Sequence, residues 1–172
     1  KTRLLQNIMG LWIIQECKRE WDRKGEVAGF GELVEMAAQA PAFRSIIDVD
    51  APRFLPTGDM LGRTQGYCRE TGQPVPQTKG EFSRLIYESL ALKYRLCVER
   101  LERDLLGHKV DALHIVGGGS KNAMLNQFTA NALRIPVIAG PSEGTVIGNL
   151  LMQAMALGAF DSLSGLRACV AE

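Results

Sequence analysis

The sequence has few residues of the kinds that form disulfides or bind structural metals. Its four cysteines include no C-x-x-C pair, and its two histidines, His108 and His114, have no cysteine near them. The cysteines are Cys17, Cys68, Cys97 and Cys169. This pattern argues against a structural metal site and predicts scattered free thiols in the reducing cytoplasm.

The sequence also lacks an excess of charge of either sign. Its 20 lysines and arginines and 19 aspartates and glutamates give a formal net charge of +1. Because the two signs are interspersed, we expect no nucleic-acid surface and no binding to anionic membranes. No apolar run approaches the roughly 18 residues that a membrane-spanning helix needs. What remains is the composition of an ordinary globular domain.

The most informative stretch is Leu113-His-Ile-Val-Gly-Gly-Gly-Ser-Lys-Asn122. Its aliphatic start predicts a short buried strand, and Ser120 and Asn122 are candidate N-caps of the helix that follows the glycines. A strand, a glycine turn and a helix N-terminus together favour an anion site, because free backbone N–H groups point outward there. The spacing matches neither G-x-G-x-x-G nor a Walker A loop. Nucleotide phosphate binding and an ordinary tight turn therefore both remain open.

A second unit of the same kind follows. Residues Ile135 to Ala139 predict a strand, and Ser142 to Thr145 begin a helix that ends near Gly158. Because this helix is apolar on nearly every side, we expect it to be buried. Two successive units predict parallel strands, with ligands beyond their carboxyl ends. We therefore expect one pocket between Gly117–Asn122 and Gly140–Thr145.

The rest of the chain is predicted to be mostly helical, with no assigned element after Gly158. A capping box, Thr78 with Glu81, begins the longest helix. The predicted helices are Leu4 to about Trp21, Phe30 to about Gln39, Asp59 to about Thr71 with Thr57 as its cap, and Thr78 to about Leu106. Only two strands are predicted, and a sheet of two strands is too small to stand alone. We therefore expect the chain to be a piece of a larger protein.

Two polar pairs stand out. Asn7 and Gln15, eight residues apart on the predicted first helix, project to the same general side, and their amides need either protein or ligand partners. Gly10 between them weakens a helix, which indicates close approach of another group. Asp48 and Asp50 fit solvated loop carboxylates better than an acid pair or a metal site.

The glycine stretch, with Asn126-Gln127 and Ile138-Ala-Gly-Pro-Ser-Glu-Gly-Thr145, resembles the C-terminal domain of FGGY carbohydrate kinases, in the actin/hexokinase-like superfamily. Leu5-Gln-Asn-Ile-Met-Gly-Leu-Trp12, Pro52-Arg-Phe54 and Cys68-Arg-Glu-Thr71 narrow the resemblance to members that phosphorylate L-rhamnulose at O1 with ATP. The resemblance implies a helix-rich α/β, actin/ribonuclease-H-like fold with two parallel strands and flanking helices. Residues 1–172 would be a partial C-terminal nucleotide-binding domain, with its first strands missing.

The resemblance also implies individual roles. Asn7 matches an asparagine that contacts the ketose, and Gln15 matches a glutamine that contacts the nucleotide. Gly118, which lies between Gly117 and Gly119, matches a glycine that contacts the nucleotide. Asn122 and Glu143 help to line the nucleotide pocket. The implied nucleotide-binding residues are Gln15, Gly117, Gly118, Gly119, Asn122 and Glu143.

The family's catalytic aspartate and first phosphate loop lie in the N-terminal domain, upstream of Lys1. We therefore expect no catalytic residue and no metal ligand set in this chain, and no activity from it alone. ATP and Mg²⁺ are the implied cofactors, and the N-terminal domain of the same protein is the implied partner. Two alternatives remain, a non-catalytic nucleotide-binding module of the actin-like superfamily and an FGGY kinase for another ketose or pentulose.

Overall fold

A computed structural model of the chain describes residues 5–171, with side chains to residue 170. These residues form seven α-helices and two short strands, β1 (Leu113–Ile115) and β2 (Val137–Ala139). The helices are α1 (Trp12–Arg23), α2 (Phe30–Gln39), α3 (Met60–Glu70), α4 (Lys79–Leu101), α5 (Ala123–Leu133), α6 (Gly144–Ala156) and α7 (Leu163–Ala171). The strands pair in parallel, with Leu113 opposite Val137 and Ile115 opposite Ala139. The predicted helix-rich α/β fold with two parallel strands is confirmed.

Helix α4 is the centre of the core. The predicted capping box begins it, since Glu81 N–H donates to Thr78 Oγ1 at 3.2 Å and Thr78 N–H donates to Glu81 Oε2 at 3.1 Å. Helices α1, α2 and α5 pack around its first half. The chain stays helical after α4 through a wider π-helical turn, Glu102–Leu106, which ends at Gly107 with φ of 71°. The main buried side chains are Ile13, Ile14, Cys17, Trp21, Leu33, Phe82, Leu85, Ile86, Leu90 and Leu125.

The predicted start of the first helix is wrong. Helix α1 begins at Trp12, and residues 5–9 have no regular secondary structure, while Leu4 lies outside the described residues. Gly10 has φ of 61°, so it makes a left-handed turn before the helix, and an added Cβ would meet only Ile8 O, at 3.7 Å. The Met9 N–H donates to Asp50 Oδ1 at 2.9 Å, which holds the preceding segment against a distant loop. Asn7 is therefore not on the helix of Gln15, and the predicted shared side is wrong.

The start of α3 also differs from the prediction. Its N-cap is Asp59, which has φ of 50° and makes no side-chain capping bond, so Thr57 is not the cap. Two carboxylates of α1 bind this turn instead. Glu20 accepts the Met60 N–H, and the buried Glu16 accepts the Gly58 N–H at 3.2 Å. The partners lie about forty positions away in the chain, so no local sequence pattern predicts these hydrogen bonds.

The predicted burial of α6 is wrong. None of its residues is buried, and Val146 and Leu150 keep 55% and 61% of their surface. The unassigned tail after Gly158 forms α7, whose Leu166 is buried. A groove between the two helices is lined by residues of both, including Ile147 and Leu166. In the described part of the chain, α6 is therefore an apolar helix covered on one side only.

The Asp48–Asp50 pair lies in a loop, as expected, but both carboxylates bind Lys93. Their oxygens lie 3.1 and 2.8 Å from its Nζ. Burial opposes ionisation of Asp48, yet the hydrogen bond from Lys93, the Asp50 N–H and the charge of Lys93 together outweigh it and hold the pKa of Asp48 below its ordinary value. Across residues 5–171, no helix is long and apolar enough to cross a membrane.

Candidate nucleotide site

The glycine loop follows β1, and its conformation turns the carbonyl groups of the loop toward the protein. Gly117 has φ of 84° and ψ of −173°, which a side chain would disfavour. Its carbonyl oxygen accepts the Ser120 N–H at 3.0 Å and the Ser120 hydroxyl at 2.8 Å. The chain then makes a short 3₁₀ turn, Gly118–Lys121, in which Gly119 O accepts the Asn122 N–H at 3.1 Å. The carbonyl oxygens of Gly117 and Gly119 thus accept hydrogen bonds from within the loop.

The N–H groups of Gly118 and Gly119 differ from these carbonyl oxygens, because they have no backbone partner among the described residues. A Cβ added at Gly118 would meet no atom within 4 Å, so the space in front of this residue is open. Free N–H groups at the start of a helical turn, next to open space, favour the binding of an anion.

A cavity of about 710 Å³ opens in front of this loop. Such a volume lies within the usual range for small-molecule sites, about 300–1,000 Å³. One wall is apolar and comes from α1 and α2, and the other comes from the loop and α4. The lining residues are Leu11, Ile14, Gln15, Phe30, Gly31, Val34, Tyr87, Gly118, Gly119, Lys121 and Asn122. Four predicted nucleotide-binding residues, Gln15, Gly118, Gly119 and Asn122, thus meet at one cavity.

The polar groups that line the cavity differ in the hydrogen bonds that they already make within the protein. Asn122 caps α5, because its Oδ1 accepts the Leu125 N–H at 2.9 Å, and its amide group lies beside the hydroxyl of Tyr87. Burial raises the pKa of Tyr87, with Asn122 beside it acting in the opposite direction, so its phenol is neutral at physiological pH. Gln15 and Lys121 are exposed. The site therefore offers hydrogen-bond donors and one cation around an apolar floor.

Three predicted residues do not line this cavity. Gly117 lies behind the loop, where its N–H donates to Pro141 O at 3.2 Å and joins the two strand-to-helix turns. Glu143 is exposed at the start of α6, and Asn7 is exposed in the segment before α1. The roles expected of Gly117, Asn7 and Glu143 stay predictions.

The predicted position of the pocket is wrong. The cavity lies between the glycine loop and helices α1 and α2, and not between the two turns. Pro141 and Gly144 instead border the separate groove between α6 and α7. The two turns are joined directly, since the Gly117 N–H donates to Pro141 O at 3.2 Å.

Sequence reasoning missed the apolar wall of the site. Phe30 and Val34 of α2 and Tyr87 of α4 have no motif around them, and their spacing is that of ordinary core residues. Only the packing of α2 against α4 brings them to the glycine loop. No local signal in the sequence identifies these three side chains as part of a site.

The described residues contain no group of three or more His, Cys, Asp or Glu side chains that fits a metal ion. The carboxylates of Asp48 and Asp50 both bind Lys93.

Comparison with known proteins adds the family. Residues 1–157 match the C-terminal domain of the FGGY family of carbohydrate kinases. The chain is 46% identical over 170 residues to a rhamnulokinase of Bacteroides thetaiotaomicron, which covers 99% of this chain and 34% of the relative. It is 45% identical over 170 residues to a rhamnulokinase of Enterococcus faecalis, covering 98% and 34%. It is 48% identical over 166 residues to one of Pectobacterium carotovorum subsp. carotovorum, covering 96% and 32%.

The chain thus spans about a third of the length of these relatives. The family match covers both the glycine loop and the helices that face it across the cavity. On this match, the chain belongs to the FGGY family of carbohydrate kinases and carries its C-terminal domain.

Proposed function

We propose that residues 1–172 are the nucleotide-binding part of an ATP-dependent sugar kinase that converts L-rhamnulose to L-rhamnulose 1-phosphate. The observation that carries the proposal is the cavity in front of Gly118 and Gly119, whose N–H groups have no backbone acceptor among the described residues. The name rhamnulokinase, borne by relatives 40–48% identical to this chain, supports the choice of sugar.

In this proposal the chain binds and orients ATP, which supplies the phosphoryl group. The N–H groups of Gly118 and Gly119 bind phosphate oxygens, and Gln15 and the amide nitrogen of Asn122 donate to the nucleotide. The apolar wall of α1 and α2 excludes water from one face of the ligand. Because phosphoryl transfer depends mostly on positioning and on stabilising charge, a rigid loop of this kind is a suitable holder.

The remaining parts of the reaction are assigned to other residues. Asn7, exposed in the segment before α1, contacts the ketose, and a general base and Mg²⁺ ligands come from an N-terminal domain of the same protein. The length of the relatives, about three times that of this chain, is compatible with such a domain. The metal would be held mainly by the phosphates of ATP.

The proposal includes a cytoplasmic location for the protein. All four cysteines are free, and Cys17 and Cys68 are buried. Burial raises the pKa of both thiols, so neither is poised to react as a thiolate. Free, unreactive thiols are typical of proteins that work in a reducing compartment.

The test is a coupled assay of ADP release by the full-length protein, with ATP and either L-rhamnulose, L-ribulose or D-xylulose. We expect release that depends on L-rhamnulose and requires Mg²⁺. Release with another ketose alone would make the protein a different FGGY kinase. Binding of ATP by calorimetry without release on any sugar would make it a non-catalytic nucleotide-binding module.

A further inference from the structure

Two side chains behind the glycine loop hold its carbonyl groups away from the cavity. The Ser120 hydroxyl donates to Gly117 O at 2.8 Å. The Asn126 Nδ2, one turn into α5, donates to Ser120 O at 2.8 Å. The two bonds form a chain from α5 through Ser120 to the first glycine of the loop. Neither Ser120 nor Asn126 lines the cavity.

These bonds come at a cost to the fold. Asn126 Oδ1 is buried and has no hydrogen-bond partner among the described residues, and a buried unpaired oxygen is unfavourable. Ser120 is also buried, with 8% of its surface exposed. An apolar residue at position 126 would avoid the unpaired oxygen. The amide is therefore better explained by what its nitrogen does for the loop.

The consequence for a bound anion follows from the dipoles of the peptide groups. A carbonyl oxygen that faces a phosphate repels it, whereas an N–H attracts it. Without the Ser120 hydroxyl, the carbonyl group of Gly117 keeps only its bond from the Ser120 N–H, and without the Asn126 amide the carbonyl group of Ser120 loses its side-chain donor. The loop would then spend part of its time with a carbonyl toward the phosphates.

We propose that Ser120 and Asn126 are positioning residues, which set the glycine loop so that only N–H groups face the phosphates of the nucleotide. This inference rests on the proposed binding of ATP. It adds that affinity for the charged part of the nucleotide depends on two side chains that do not touch it. Affinity for uncharged adenosine, which has no phosphate, does not depend on them.

The experiment measures the dissociation constants of ATP and adenosine by calorimetry, in the full-length protein, for Ser120→Ala and Asn126→Leu. Each variant loses one neutral hydrogen bond, so we expect the Kd of ATP to rise about two- to tenfold. The Kd of adenosine should stay within about twofold. Ser120→Thr keeps the hydroxyl and should restore the affinity for ATP.

Thr129→Val is the matched control. Thr129 is fully buried on the same helix, and its hydroxyl donates to Leu125 O at 2.7 Å, without a link to the loop. It should lower the melting temperature and leave both dissociation constants unchanged. A purely structural role for Ser120 and Asn126 would give the same pattern as Thr129→Val, or equal losses for ATP and adenosine.

The outcomes separate this inference from the proposed function. If the wild-type protein binds neither ligand, nucleotide binding is wrong and the positioning role is wrong with it. If the wild type binds ATP and the variants show no selective loss for ATP, only the positioning role is overturned.

Discussion

Gly80 of α4 touches the backbone of Met36 in α2. A Cβ at Gly80 would lie 2.9 Å from the carbonyl carbon of Met36 and closer still to its oxygen. The contact brings the end of α2 against the start of α4. Because α2 carries Phe30 and α4 carries Tyr87, this contact also sets the distance between two walls of the cavity.

Gly80→Ala should therefore destabilise the protein, by about 1–3 kcal/mol, as expected for an overpacked core position. Gly66→Ala is the control, since its Cβ in α3 would meet only Glu70 Oε1, at 3.9 Å. Alanine forms helix better than glycine, so Gly66→Ala should be neutral or stabilising by up to about 1 kcal/mol. Thermal unfolding of the full-length variants compares the two. Equal stability of the two variants would contradict the close contact.

Gly118→Val should weaken ATP binding severely and leave the fold intact. Its Cβ would occupy the open space in front of the loop, where the proposal places the nucleotide. Gly117→Ala is expected to behave differently, because φ of 84° strains any side chain at this position and lowers the melting temperature. Calorimetry and thermal unfolding of both variants separate the two effects. Unchanged ATP affinity in Gly118→Val would mean that the loop does not bind the nucleotide.

The two amides near the start of α1 should serve different substrates. Gln15 lines the cavity, whereas Asn7 is exposed outside it. Losing one neutral hydrogen bond costs about 0.5–1.5 kcal/mol, so Asn7→Ala should raise the sugar KM several-fold and leave the ATP KM nearly unchanged. Gln15→Ala should do the reverse. Steady-state kinetics of the full-length variants gives both constants, and a loss of melting temperature without a selective change in KM would rule out the sugar contact of Asn7.

Glu81 makes the stability of α4 depend on pH. The N–H groups of Gln77 and Thr78 bind its carboxylate and hold its pKa below the ordinary value of 4.5, although burial opposes them. A lowered pKa stabilises the folded state above the unfolded-state value, and this stabilisation is lost as pH falls through the folded-state value. At pH 7 the free energy of unfolding of the wild type should therefore exceed that of Glu81→Gln by about 0.3–1 kcal/mol.

The difference between wild type and Glu81→Gln should shrink steadily below pH 4.5. Thermal unfolding of both proteins from pH 7 down to about pH 3 covers this window. A difference that is constant across the range would show that the charge of Glu81 does not contribute.

The 172-residue chain by itself should have no kinase activity and should self-associate, because α6 exposes apolar side chains. Replacing two of them with a charge pair, Val146→Glu with Leu150→Lys, should reduce the association seen by analytical ultracentrifugation. Gln127→Glu with Asn131→Lys adds the same pair at exposed polar positions of α5 and should not. An isolated chain that is monomeric and active would contradict both expectations.

Local sequence determined the elements whose bonds join neighbouring residues. The capping box of Thr78 and Glu81, the cap of α5 by Asn122 and the stop at Gly107 each depend on groups within a few positions of one another. The positions of the two short strands and of the open glycine turn follow from the same short-range patterns, although the pairing of the strands joins distant residues such as Leu113 and Val137. The resemblance to the family implies nucleotide contacts for Gln15 and Gly118, and both residues line one cavity.

Tertiary structure decided what depends on distant partners. Helix α1 begins at Trp12 and not at Leu4, after a segment whose Met9 N–H is bound by Asp50. Glu20 binds the first N–H of α3 from another helix, and Phe30 joins the site only because α2 packs on α4. The composition of α6 predicts that it is buried. Composition gives only the tendency of a helix to bury its side chains, because the elements that bury them must pack on it from elsewhere. A hydrogen bond between residues forty positions apart leaves no pattern in either stretch, so these features depend on how the helices pack.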